Sequence, residues 1–355
     1  LGERNDVECV GVEHKLGIHA SPTCVMAYGE QRGAVAYLVG DVNAGMLCMF
    51  TMMNDARLHV GLEGLGLTVR SYQLELDYAQ ERKQGRAIGT PKDQSSPIVY
   101  HPNVRRMLMT MKANIEAMRA LIFDAVGAGD LRSHGADDRA RLDGSNRMAL
   151  LTPIAKAWAT DLGVEMTSLG VQIHGGMGFV EEAGAAQHWR DSRIAPIYEG
   201  TNGIQAIDLV MRKLPMDEGR VVASYLDEAE ATAGELIAAG GDLADMGEVL
   251  QEAVAEVRTT TQWLLEVSDP NDALAGATPY LRQFGVVAGG YYLAKSALIA
   301  QRILDTEGED PWLRAKIDTA SFYAHQILPQ AGGVAPAAMA GAGQLFAIET
   351  DMLVQ

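Results

Sequence analysis

Two stretches decide the reading of this chain: Gln172-Ile173-His174-Gly175-Gly176-Met177-Gly178-Phe179 and, further on, Ile197-Tyr198-Glu199-Gly200-Thr201-Asn202-Gly203-Ile204-Gln205. Glycines between helices let a backbone come close to a ligand and present unshielded N–H groups. The Gly175-Gly176 pair reads equally well as a plain helix-to-helix turn, and spacing alone leaves both open. It is not a Gly-x-Gly-x-x-Gly that follows a strand, so that dinucleotide fingerprint is excluded. Glu199 stands between apolar Ile197-Tyr198 and Gly200, at the expected start of a helix. A carboxylate there interacts favourably with the helix dipole. It is also a candidate general base, because partial desolvation raises a carboxylate pKa.

Working outward, the residues before about Gly45 and those after it differ in pattern. Val7–Val12, Cys24–Tyr28 and Ala34–Val39 are short apolar or alternating runs punctuated by Gly, Pro, Asn and Asp, which predicts three strands. Three strands make a poor sheet alone, so further strands are expected elsewhere. From Met46 to Gln84 the spacing of Leu58, Leu62, Leu65, Val69, Tyr72, Leu76 and Ala79 predicts one long helix with Gly85 as its cap. Pro102 predicts the first turn of a Met-rich helix to about Val126. The polar run Gly127–Asp143 reads as a mobile connection, and a further helix is expected from Pro153 to Leu169. Short helices follow at about 183–192 and 201–213. Beyond Pro215 four Ala-, Glu- and Leu-rich helices are expected at about 218–239, 246–268, 273–308 and 310–328, then a Gly- and Pro-containing tail with a last turn at 343–353.

The 355 residues carry 29 Lys and Arg against 46 Asp and Glu, a net charge of −17. So acidic a surface repels phosphate backbones, and nucleic acid is not an expected partner. Hydrophobic residues are 48% of the chain, ample for a core. Cys9, Cys24 and Cys48 have no metal or redox spacing, and read as free thiols of a reducing, cytoplasmic compartment. The eight His show no metal-site spacing, so no metal is expected. No apolar run reaches the ~18–20 residues of a membrane span. The first residue is Leu1, in what reads as mid-strand, so a longer polypeptide is expected.

Taken together, these stretches resemble the acyl-CoA dehydrogenase family. Gln172–Phe179 resembles its Gln-x-x-Gly-Gly-x-Gly-aromatic motif, and Tyr198-Glu199-Gly200-Thr201 its Tyr-Glu-Gly-Thr. Tyr78–Arg86 resembles Tyr-Ala-x-x-Arg-x-x-Phe-Gly, and Lys15–Thr23 the Lys-x-Gly-x-x-x-Ser-x-Thr of the family's β domain. The order and spacing match over residues 15–205. The acidic helical extension and the Glu-Gly-Thr-Asn-Gly spelling are most similar to the subgroup of 3-methylmercaptopropionyl-CoA dehydrogenase-like enzymes. The fold this implies is mostly α with a small β part. Residues 1–42 would end a β-barrel-like middle domain, 43–214 would form a flavin-binding four-helix-bundle domain, and 215–355 a C-terminal helical extension.

The resemblance also implies a chemistry. Glu199 would remove the α proton of an acyl-CoA thioester, with hydride passing to FAD and a trans-2-enoyl-CoA as product. The base's own backbone N–H and a flavin hydroxyl would stabilise the thioester oxygen. Arg82 would pair with FAD phosphate; Gln172, Gly175 and Gly176 would line the ADP half of FAD from a neighbouring subunit; Thr201, Asn202 and Gly203 would also contact FAD. Ser21, Asn54, Arg57 and Gly200 would lie near CoA or the thioester. Taken outside the motifs, Arg57 and Arg82 read as surface ion pairs and Ser21 as a turn residue before Pro22. Implied partners are an electron-transfer flavoprotein, a second copy in a homodimer or homotetramer, and an N-terminal half on this or a partner chain. An acyl-CoA oxidase using O2, or a non-catalytic helical subunit, are the competing readings.

The chain departs from the family pattern in places. Gln84 replaces the Phe before Gly85, Asn54 stands where Asp is common, and Gly203 replaces a common Gln. Ala56 occupies the position on the long helix where some members carry their base, leaving Glu199 as the candidate. The −17 charge must lie away from a polyanionic CoA, with Arg57 and Arg82 reversing it locally. The Met cluster (Met46, Met49, Met52, Met53, Met107, Met109, Met111) reads as adaptable core.

Overall fold

A computed structural model describes residues 2–354 of the chain. Two strands, β1 (Val7–Val12) and β2 (Cys24–Tyr28), pair antiparallel, with an irregularity between Cys9 and Gly11. The third expected strand does not form. Val35 spends its backbone N–H and C=O on the Asn5 side chain, at 2.9 and 2.8 Å. Tyr37, Leu38 and Val39 are left exposed, with no ladder to join.

The helices run α1 (Gly45–Glu81), α2 (Pro102–His134), α3 (Asp138–His174), α4 (Ala185–Ser192), α5 (Asn202–Asp208), α6 (Arg220–Ala239), α7 (Gly241–Glu266), α8 (Pro270–Glu307), α9 (Pro311–Gln326) and α10 (Gln330–Ala338). The mostly α class with a small β part therefore stands. Several boundaries differ from expectation. The Gly127–Asp143 run is not a mobile connection: α2 continues through Gly127 and Gly129, and only residues 135–137 intervene before α3. Asp137 caps α3 by accepting the Ala140 N–H at 2.8 Å. Pro153 does not start a helix but lies inside α3, where the turns on both sides of it are buried and held by packing. α10, with Pro336 inside it, was not expected, and the last turn shrinks to Thr350–Leu353.

α1 and α3 run parallel and nearly touch. A Cβ on Gly61 would stand 2.8 Å from the Ala155 carbonyl, and one on Gly64 2.8 Å from that of Ala159. Only glycine permits this approach, and it brings the first half of α1 over residues 155–163 of α3. The buried face of α1 is thus Gly61, Gly64, Thr68, Ser71 and Glu75 as well as Leu58, Leu65 and Ala79; Leu62, expected inside, is exposed. Of the Met cluster, Met107 and Met111 are core, whereas Met46 and Met52 are exposed.

One hydrophobic core runs without a break from Leu58 to Ala338. Its joint is Trp158 of α3, fully buried and seated on Gly285 and Gly289 of α8. A polar seam flanks it. Arg147 of α3 grips Asp124 of α2 at 2.9 Å and Glu228 of α6 at 2.8 Å, while Tyr292 of α8 donates to Asp124 at 2.5 Å.

Candidate active site

The Tyr198–Thr201 motif is a turn, not the start of a helix. Glu199 has φ 57° and Gly200 φ 83°, both left-handed. A glutamate in that region is unusual and costs of order 1 kcal/mol, which surrounding bonds must hold in place. Those bonds are present. The Asn202 N–H donates to the Pro196 carbonyl at 3.0 Å, and the Thr201 hydroxyl caps α5 by accepting the Ile204 N–H. Gln205 Nε2 donates to the Gly200 carbonyl at 3.2 Å. The result is a buried Glu199 Oε2 with no hydrogen-bond partner among the described residues. A buried carboxylate oxygen with an open lone pair is costly unless something is meant to meet it.

Arg57 comes from α1 to the same place. It approaches Asp208 of α5 at 3.9 Å and donates to Asn54 Oδ1 at 3.4 Å, and a Cβ on Gly200 would be 3.6 Å from its Nη2. Its Nε is also buried and unpartnered. Tyr198 donates to Glu63 of α1, and burial, with Glu63 next, pushes the phenol pKa up. Ser21 lies across a cavity of ≈ 570 Å³ that it lines with Lys15, Glu63, Arg193 and Tyr198. The β piece is tied there by the Ile18 N–H, which donates to Asp191 at 2.6 Å.

Asn202 faces inward. Its Oδ1 accepts from Lys156 at 2.8 Å, and its Nδ2 donates to Asp161 at 2.7 Å, to Thr160 Oγ1 at 3.0 Å and to the Ala157 carbonyl at 3.1 Å. Its side chain is thereby spent within the fold, as its backbone N–H is on the Pro196 carbonyl. Thr201 and Gly203 are exposed beside it.

The other sequence candidates gather elsewhere. Arg82, Gln172, Gly175 and Gly176 lie at the far end of α1 and α3, where Tyr78 stacks on His174 with ring centroids 4.0 Å apart. At 1.5 Å per residue, His174 is roughly 27 Å along α3 from Lys156. Arg82 is exposed and has no ion-pair partner among the described residues. Gly175 (φ 59°) and Gly176 are exposed, and a Cβ on either would meet nothing within 4 Å. Beneath them, Glu75 and His174 form a fully buried pair.

Sequence reasoning missed Lys156, Glu63 and Asp208. Lys156 had a signal: it is the lone charge in the apolar run Pro153–Ala159. Glu63 and Asp208 had none, since their partners come from other helices.

The comparisons with known proteins fit this architecture. Residues 43–214 match the model for the acyl-CoA dehydrogenase C-terminal domain, and residues 224–349 that for the acetyl-CoA dehydrogenase C-terminal like domain. The chain belongs to the acyl-CoA dehydrogenase family. It is 44% identical over 328 residues to the 3-methylmercaptopropionyl-CoA dehydrogenase of Ruegeria pomeroyi, covering 92% of this chain and 55% of that protein. A butyryl-CoA dehydrogenase of Syntrophomonas wolfei is 34% identical over 340 residues, 92% of this chain and 55% of its own length. The chain thus spans little more than half of these curated relatives. Among solved structures, the Caenorhabditis elegans protein ACDH-11, in complex with C11-CoA, superposes with a TM-score of 0.73 at 22% identity over 91% of this chain and 50% of that one. An acyl-CoA dehydrogenase from Bacillus anthracis complexed with FAD gives 0.70 at 23% identity over 98% and 58%. Both likenesses are of fold. No helix among the described residues is long and apolar enough to cross a membrane.

Proposed function

We propose that this acyl-CoA dehydrogenase chain catalyses α,β-dehydrogenation of an acyl-CoA thioester, with Glu199 as the base that removes the α proton. The observation that carries the reading is the buried, unpartnered Glu199 Oε2, held out by a left-handed Glu-Gly turn. A base must have a free lone pair within reach of the proton it takes, and a dry setting strengthens it. The Glu199 backbone N–H makes no hydrogen bond among the described residues, so it is free to donate to a thioester oxygen as negative charge gathers there. Arg57, Gly200, Asn54 and Ser21 are the candidate substrate contacts, Arg57 and Gly200 nearest the base.

The residues fit FAD. Arg82 offers an unpaired guanidinium for a phosphate, and Gly175 and Gly176 offer open backbone beside the exposed Gln172. Thr201 and Gly203 would hold the other end, with Asn202 fixing the turn between them. When bound, FAD supplies the hydride acceptor for the β carbon. The roughly 27 Å between the two groups, by helix rise, supports a homodimer in which each FAD draws its halves from two copies. An electron-transfer flavoprotein as acceptor belongs to the same proposal. So does the division into an end of a β domain (1–42), a flavin-binding bundle (43–214) and a helical extension (215–355).

The test is Glu199→Gln in the protein expressed at its native length. Acyl-CoA should bleach the flavin absorbance of the wild type and not that of the variant, with flavin content equal in both. Bleaching retained by Glu199→Gln would sink the assignment.

A further inference from the structure

Among the described residues, the core holds one fully buried lysine, which the proposed chemistry does not use. Lys156 is fully buried, and its Nζ donates to Asn202 Oδ1 at 2.8 Å, its one hydrogen bond among the described residues. A lysine is almost never fully buried without a reason, because its ammonium forfeits hydration. A well-packed apolar residue would serve the core better at this position. Replacement by an apolar residue is often neutral or stabilising even for buried ion pairs.

Its surroundings give the reason. Asn202 lies three positions after Glu199 and is bound to Ala157, Thr160 and Asp161 of α3 as well. Lys156 is therefore tied to the turn that presents Glu199. The charged groups acting on it are Asp161 of its own helix, Arg57 and Glu63 of α1, and Glu199 itself. From α5, Asp208 is occupied by Arg57, Arg212 and Lys213. From α8, Arg282 is held by Glu165 at 2.7 Å and acts on Asp161. Of the acids that act on it, Asp161 is hydrogen-bonded to Asn202 and Glu63 to Tyr198. Glu199 alone keeps a carboxylate oxygen buried without a partner.

We infer that Lys156 is a positioning residue for the base: tied to Asn202, its ammonium holds the Glu199 turn against α3. This rests on Glu199 being the base. Burial, the largest influence on Lys156, lowers its pKa to about 8, so the ammonium persists through neutral pH and is lost above it. Without the ammonium, the Asn202 Oδ1 loses its charged donor and the turn loses its tie to α3 at that point.

The experiment uses the flavin-loaded protein at native length, with butyryl-CoA or 3-methylmercaptopropionyl-CoA as the probe, whichever bleaches the wild type. The bleaching rate is followed from acid to alkaline pH for wild type, Lys156→Met, Lys156→Arg and Glu199→Gln. In parallel, the dependence on substrate concentration separates the saturating bleaching rate from the concentration that gives half of it. The expected result is a saturating rate lowered roughly tenfold or more in Lys156→Met, with the half-saturating concentration unchanged. Lys156→Arg should bring the saturating rate back towards the wild type. Should Lys156→Met not fold, Lys156→Gln keeps a donor for Asn202 and removes only the charge. A wild-type saturating rate in a folded, uncharged variant overturns the inference, and with a silent Glu199→Gln it leaves the base assignment standing. Bleaching by Glu199→Gln overturns both.

Discussion

Trp158 offers the sharpest test of how the two helical halves are joined. Its indole is fully buried between α3 and α8, against Gly285 and Gly289. A Cβ on Gly289 would lie 2.9 Å from Trp158 Cη2, so α8 comes as close as the indole allows. Trp158→Ala empties that slot, and glycines have no side chains with which to refill it. The cost is that of a large aromatic truncation, about 3–5 kcal/mol, at the upper end because the facing wall is backbone. The shift in melting temperature depends on how much of the chain unfolds together. Unfolding entropy is about 2.1 cal/mol/K per residue, so a loss of about 4 kcal/mol moves a unit of about 300 residues by roughly 6 °C. If residues 43–214 unfolded alone, the same loss would move that transition by roughly 11 °C and leave the rest in place. The unbroken core favours the first outcome. Calorimetry of the flavin-free protein, free of ligand stabilisation, distinguishes them. Trp158→Phe serves as a control, since it keeps most of the volume and removes only a buried indole N–H that has no partner. Two separate endotherms, of which only one responds to Trp158→Ala, would refute a shared core; a shift below about 1 °C would refute the packing argument itself.

Two further outcomes follow from the polar groups. Arg147→Met removes the cation common to Asp124 and Glu228 and strands Asp124 beside Tyr292; the groups are half-buried, so about 2 kcal/mol of stability should be lost, read as a lower urea midpoint with unchanged slope. Lys156 has a folded pKa of about 8 against 10.5 unfolded. Between those values the unfolded chain binds more protons, so this group's contribution to stability rises with pH. Wild-type stability, measured as a difference from Lys156→Met, should therefore improve from pH 8 to pH 10 and stay flat below pH 7; a flat difference throughout would contradict the burial of a charge at this position.

Much of the candidate site was legible because its residues sit on short ordered motifs. Glu199, Gly200 and Thr201 are neighbours in the chain, and so are Gln172, Gly175 and Gly176. The long helices were legible through their 3.6-residue spacing. The misread boundaries share a cause: Gly127, Gly129, Pro153 and Pro336 all break a lone helix, and packing against neighbours overrode them. The Ala34–Val39 run failed in the opposite way, since a strand exists only with a partner and Asn5 took its bonds.

What the sequence determined by itself is the set of groups: an acidic chain, helical after Gly45, with a glutamate between an aromatic residue and a glycine and two exposed Gly-rich turns. Only the tertiary structure decided that Glu199 stands in a left-handed turn with a bare oxygen, and that Lys156, Arg57 and Glu63 converge on it from two other helices. It also set the two candidate groups roughly 27 Å apart along α3 and joined the C-terminal helices to the same core through Trp158. Each of these depends on helix-to-helix distance. That distance is set by where glycines such as Gly61, Gly64, Gly285 and Gly289 meet a particular neighbour, which no local pattern encodes.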